Sequence, residues 1–151
     1  MKLFIASLVL VTSLSSFAAT PILPLPECKS RQGDEVDGSV KQLRNVMGNP
    51  KDSRTQVYVT GVIGEIEKED HTGLPHQKFS LKVDTDITLA IVSNLDFGRI
   101  PLVAGKKVSI CGEFRRIGKG MVHWTHFDPH GGHPDGFTIL DGKVYGETEI
   151  K

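Results

Sequence analysis

The chain has 151 residues, 38% of them hydrophobic, and its 18 lysines and arginines balance 18 aspartates and glutamates. That length and apolar share suit a single domain with one modest core. Zero formal net charge excludes a protein drawn to nucleic acid or anionic lipid by a global field, so any polyanion binding has to be local.

Lys2 precedes an apolar run from Leu3 to Leu14, followed by Ser16-Phe17-Ala18, a small-x-small site that signal peptidase accepts. The run is shorter than the roughly 20 residues of a membrane span. Residues 1–18 therefore read as a signal peptide, the mature protein as periplasmic or secreted, and no transmembrane segment is expected after cleavage. Leu25-Pro26-Glu27 lacks the small residues expected before a lipidated cysteine, which argues against a lipoprotein at Cys28. An exported chain meets an oxidising compartment, so Cys28 and Cys111 are expected to pair, with two separate thiols as the alternative.

Residues 19–55 read as an arm and a short helix. Three prolines between Thr20 and Glu27 keep the arm extended. Ser39 offers an N-cap with Gln42 three residues on, Val40, Leu43, Val46 and Met47 mark one helical face, and Gly48-Asn49-Pro50 stops it. From Gln56 the period becomes alternating: Val57, Val59 and Ile63 take one side of a strand, Tyr58, Thr60, Val62 and Ile66 the other. Gly61 and Gly64 within the run predict a bend or bulge. A second strand places Phe79, Leu81 and Val83 inward, and a third covers Ile87 to Val92. After an irregular segment from Asn94 to Gly105, a fourth strand puts Val108, Ile110, Gly112 and Phe114 inside and Cys111, Glu113 and Arg115 outside. That outward position makes Cys111 available to the arm. A fifth strand is expected from Met121 to His126, and Asp141-Gly142 between Phe137–Leu140 and Lys143–Tyr145 signals a tight hairpin. Together these elements predict a mainly β domain over residues 56–151, a five-stranded OB-like Greek-key barrel with a short N-terminal helix and a C-terminal β-hairpin.

Chemistry concentrates between Met121 and Gly136, which hold four of the six histidines, the only tryptophan and two aspartates. His123 and His126 are three apart, so strict alternation sends them to opposite faces; they converge only where the strand ends or bulges near Thr125. Pro129 and the following glycines favour such an ending, which would bring His126, Asp128 and His133 back toward His123. Mixed imidazole and carboxylate donors suit a divalent metal such as zinc, with His123, His126, Asp128 and His133 as its ligands, although the spacing matches no standard zinc signature. The loops that flank the usual OB ligand face carry Glu67, Lys68, Glu69, Asp70 and His71 on one side and Arg115, Arg116 and Lys119 on the other. Their mixed signs argue against a nucleic-acid groove.

His76-Gln77-Lys78-Phe79, Asn94-Leu95-Asp96, Gly112-Glu113-Phe114 and, above all, His123-Trp124-Thr125-His126 with Asp128-Pro129, His133 and Gly136 resemble the bacterial family catalogued as domain of unknown function 3465. The resemblance runs from about Gln56 to Gly146. It implies an exported OB-like domain with a site at the histidine motif and supplies no substrate. Phe127, Ser93 and Phe137 depart from it, standing where members often carry histidine, histidine and tryptophan. The expected ligand-binding set is His76, His123, Trp124, His126, Asp128 and His133, in a monomeric module for an unidentified ligand such as an oligonucleotide or oligosaccharide. A metal-dependent hydrolase of phosphodiesterase or nuclease type, and a structural or protein-binding domain, are the alternatives.

Overall fold

A computed structural model describes residues 24–52, 54–69 and 73–147. The expected signal peptide and two residues of the first flanking loop, Asp70 and His71, lie outside the described residues. No helix among the described residues is long and apolar enough to cross a membrane.

Helix α1 (Val40–Gly48) begins where the side chain of Ser39 accepts a hydrogen bond from the Gln42 amide at 3.1 Å, satisfying one of the helix's unpaired N-terminal donors. Its carbonyl end is closed from outside: Arg116 donates to the backbone oxygens of Val46, Met47 and Asn49. One of the four lysines and arginines expected on the ligand rim is thereby committed to capping this helix. Arg44 reaches in the other direction to Asp84 and Asp86, while Leu43 and Val46 enter the barrel's apolar cluster. Helix and barrel therefore share one core, and the barrel begins at Arg54, two residues earlier than expected.

Strands β1 (Arg54–Ile66), β2 (His76–Lys82), β3 (Thr88–Asn94), β4 (Lys107–Arg115) and β5 (Met121–His123) close into a barrel. The order is β1-β2-β3-β5-β4, with β4 returning to β1 and β3 parallel to β5. This is the mainly β, OB-like barrel with a short helix that the alternation predicted. Its long first strand pairs with β4 from Arg54 to Val62 and with β2 from Val62 to Ile66. The register slips between Ile63 and Ile66, and glycine makes the crossing feasible: a Cβ on Gly61 would stand 2.5 Å from the carbonyl oxygen of Lys82.

The interior is filled by the residues whose alternation marked them, among them Val57, Val59, Ile63, Phe79, Leu81, Ile110 and Phe114. The third strand runs on to Asn94, past the expected end at Val92. Two further strands, β6 (Phe137–Leu140) and β7 (Lys143–Tyr145), extend the sheet from β4, turning at Asp141-Gly142 with φ of 52° and 75°, as the primed hairpin turns require. A second, smaller apolar cluster lies outside the barrel wall, where the Cys28–Cys111 disulfide packs with Phe137, Val36, Tyr58, Ile139 and Val144.

Candidate functional site

The site is made by an interruption in the pairing of β4. Strand β5 leaves β4 at His123, opposite Glu113, and β6 joins it at Phe137, opposite Cys111. Residues 124–136 are the excursion between these two points. The fifth strand thus ends three residues before His126, where it was expected to end, because Trp124 adopts a φ of 55°. A bulky residue in the left-handed region costs backbone strain and persists only where its surroundings hold it.

Those surroundings are glycines and backbone hydrogen bonds. Gly112 faces the departure point, and a Cβ there would meet the His123 carbonyl oxygen at 2.7 Å and Val122 and Thr125 side-chain carbons at 2.8 and 3.1 Å. At Gly136 a Cβ would lie 2.1 Å from the Trp124 carbonyl oxygen. The Gly136 amide donates to the His126 carbonyl at 2.8 Å, and the Phe127 amide to the Gly146 carbonyl at 2.7 Å. Buried Gln56 on β1 adds a bond from Nε2 to the Asp135 carbonyl at 2.9 Å. The arm closes one side, with Arg31 donating to the Gly132 carbonyl at 2.8 Å from a segment tethered by the disulfide.

Within this frame the six predicted ligand-binding residues come together on the outer face of the barrel wall. Trp124 lies between two imidazoles, with His123 and His133 each 4.5 Å from it, centroid to centroid, at an interplanar angle of 26°. His76 adjoins His123 at 5.6 Å, and His126 meets His133 edge-on at 5.0 Å. Phe97 extends the array, stacked on His126 at 3.8 Å. Asn94 sets its position: its side chain accepts from the Asp96 amide and caps the single 3₁₀ turn Leu95–Phe97. Asp128 holds the loop with both carboxylate oxygens, accepting from the amides of His130 and His133 at 2.9 and 2.8 Å.

Burial sets the protonation of the rings. His123 is pushed down to about 4, first by loss of solvent and then by the neighbouring His76, His126, Arg115 and His133. His126 is also lowered, again chiefly by burial, which outweighs its bond to the Phe127 carbonyl. Asp128 goes the other way from what burial favours, because the amides of His133 and His130 hold its carboxyl below the ordinary value. In His126 and His133 the Nδ1 atom lies 2.7 and 2.8 Å from the carbonyl of the following residue. A carbonyl only accepts, so Nδ1 donates in both rings, and in His126, whose pKa is lowered, Nε2 keeps its lone pair. His126 Nε2 is buried without a hydrogen-bond partner.

Imidazole nitrogens have the chemistry of metal ligands, but the placement of these rings does not form the expected ligand shell. Among the described residues no group of three or more histidines, cysteines, aspartates or glutamates is arranged to hold a metal ion. The physical reason is the ring order: Trp124 stands between His123 and His133, which keeps the proposed ligands His123, His126, Asp128 and His133 from closing on one point. His133 Nε2 comes no closer to the Asp128 carboxylate than 3.8 Å. His126 is buried at 5% exposure.

A cleft of about 410 Å³ opens beside the array, lined by Arg31, Arg54, Glu113, Arg115, Trp124, Gly132 and His133. Glu113 is buried and accepts from Arg115 at 3.0 Å.

A family model described as Protein of unknown function (DUF3465) matches residues 33–146. The chain belongs to that family. The resemblance carried by the His-Trp-Thr-His motif is thereby confirmed, and the matched span takes in α1 and all seven strands. No curated protein matches the chain, and no solved structure matches it. Two of its three departures from the DUF3465 pattern have clear places: Phe127 is exposed, and Phe137 packs on the disulfide rather than on the rings. Ser93 is buried on β3 opposite Gln77, whose side-chain amide exchanges two hydrogen bonds with the backbone of Ile100.

Spacing alone did not single out Phe97, Gln56, Arg31 or Arg54 as members of this region. The Asn-Leu-Asp element pointed near Phe97, and no local signal marked the others, which arrive from distant parts of the chain.

Proposed function

We propose that this protein is an exported ligand-binding module whose site is the cleft beside the Trp124 stack. The observation that carries the reading is the state of Trp124. A left-handed backbone, two stacked imidazoles and a place in the lining of an open cleft are features that packing alone does not call for. Two imidazoles stack on the indole, so a ligand in the cleft meets Trp124 together with the His133 ring and the arginines. Binding is favoured over metal-assisted hydrolysis because the imidazoles are spent on stacking the indole instead of facing a common point. The disulfide is in keeping with an exporting route, since such bonds persist in oxidising compartments.

Trp124 is the only tryptophan, so its emission reports on this cleft alone. The test is a thermal-shift screen of anionic, neutral and cationic small molecules, short oligonucleotides and oligosaccharides, read in parallel by tryptophan fluorescence. A true ligand raises the melting temperature and shifts the emission together. Ligands that stabilise without moving the emission would place the site elsewhere, and a panel without any stabilising compound would favour a structural domain.

A further inference from the structure

The charges around the cleft do not balance. Three guanidinium groups, Arg31, Arg54 and Arg115, line it together with a single carboxylate, Glu113. Glu113 is engaged by Arg115, and Arg31 spends one nitrogen on the Gly132 carbonyl. Arg54 has no ion-pair partner among the described residues. Arg54 and Arg115 are also directly opposite each other in the β1–β4 register, and like charges facing across a ladder oppose pairing. Elsewhere the same chain settles its arginines: Arg44 meets two carboxylates, Arg99 meets Glu69, and Arg116 meets three carbonyls.

We propose that the cleft binds the phosphoryl group of a small phosphate monoester, with Arg54, Arg115 and Arg31 as the anion's ligands and the edge of Trp124 beside its organic part. This deepens the binding-module reading and rests on it. Three cations against one anion leave two positive charges, which a monoester carrying about −1.5 to −2 near neutral pH neutralises. The planar fork of arginine suits bidentate contact with phosphate oxygens. Glu113 fixes the Arg115 guanidinium, and the Gly132 carbonyl fixes that of Arg31, so two of the three donors are oriented before the ligand arrives. A volume of about 410 Å³ lies within the roughly 300–1,000 Å³ of small-molecule sites. It suits a mononucleotide or sugar phosphate rather than a polymer.

The experiment is a titration of the intact protein, followed by Trp124 emission and by calorimetry, with inorganic phosphate, adenosine 5′-monophosphate and glucose 6-phosphate, and with adenosine and glucose as uncharged controls. Saturable binding of the phosphates, absent for the uncharged parents and weakened by salt, supports the proposal. The relative affinities of the three phosphates distinguish a site for free phosphate from one for a nucleotide or a sugar ester. Arg54→Gln removes the guanidinium without stranding a buried partner and is expected to weaken binding about tenfold or more with the melting temperature unchanged or raised, since the like-charge pair with Arg115 is relieved. Arg54→Lys, which keeps the charge and loses the fork, should fall between. Equal binding by Arg54→Gln and the native protein overturns the proposal, as does the lack of a saturable response to every phosphate probe. If phosphates fail while an uncharged compound from the screen binds and moves the Trp124 emission, the anion inference falls and the binding module stands.

Discussion

The two faces of β4 follow different rules although one backbone carries both. Inward, Val108, Ile110 and Phe114 are at most 1% exposed and sit in a continuous apolar cluster. Outward, Cys111 is bonded to the arm, Glu113 is buried beside Arg115, and the ring array begins at the residue paired with Glu113. The inward face is held by non-directional burial, which tolerates many side chains of suitable size. The outward face is held by specific links: one covalent bond, glycines with no room for a Cβ, and hydrogen bonds from distant segments. It also keeps a strained tryptophan, a buried nitrogen without a partner and, among the described residues, an arginine, Arg54, without an ion-pair partner. Stability is concentrated on one side of the strand, and departures from it on the other, where function is expected to lie.

The sharpest way to break this comparison is to cut the covalent link. The disulfide joins residues 83 apart, and the loop-entropy account assigns about 4 kcal/mol to a closure of that length. Reduction should therefore lower the urea midpoint markedly, and should release the arm that brings Arg31 to the cleft. The barrel interior contains neither cysteine, so the β-type circular dichroism should persist below the new midpoint. Equal midpoints for the oxidised and reduced protein would mean that the arm adds nothing to the outer face.

A smaller effect is expected at Gly112, where the two faces meet the departing strand. Its Cβ would press on the His123 carbonyl at 2.7 Å, a backbone atom that has little freedom to yield. Gly112→Ala should cost about 1–3 kcal/mol, as overpacking does, and should alter the Trp124 emission because the strain reaches the stack. Gly118, whose Cβ would meet nothing within 4 Å, has a φ of 58°. Gly118→Ala is the control, expected to lower stability through backbone strain alone and to leave the emission unchanged. The same emission change from both variants would remove the assigned role of Gly112.

The division between the faces also explains what was legible. Alternation in Val57 to Ile63 and in Val108 to Phe114 gave the barrel, since a period of two is a local property that burial on one face imposes. The Ser39 cap and the Asp141-Gly142 turn were equally local. Cys111 was legible as outward because its neighbours were inward. The histidine stretch could be recognised as a site by its composition, but its geometry depended on one backbone angle, that of Trp124, which spacing does not encode. Nor did spacing tell that Arg116 would cap α1, that Gln56 would brace Asp135, or that Arg54 and Arg31 would share a cleft with Trp124. Each of those contacts joins segments more than 65 residues apart, beyond the reach of any local pattern. The described residues form no metal-holding group for the same reason: donor types are written in the sequence, and their convergence is not.

The finest test of the contrast is its dependence on pH. The inner face is built on a cluster of buried hydrophobic side chains, whereas His123 on the outer face falls from an ordinary 6.5 to about 4 on folding. Between those values the unfolded chain binds a proton that the folded chain refuses. Stability from this ring is therefore fully present above about 6.5, is lost as pH falls toward 4, and loses nothing more below that. His126 is shifted in the same direction and adds to the loss. The ring of His123 is only partly buried, so solvent screening reduces the effect to on the order of 1–2 kcal/mol. Other groups also titrate in this range, and a difference measurement removes them: urea midpoints of the native protein and of His123→Phe, taken from pH 7 to pH 4. Phenylalanine keeps a ring against Trp124 and takes no proton, so the variant should lose less stability on acidification, and the gap between the two curves should open between pH 6.5 and 4. Parallel curves across that interval would mean that His123 is protonated as readily in the folded protein as in the unfolded one, and that the outer face does not exclude charge from its stack.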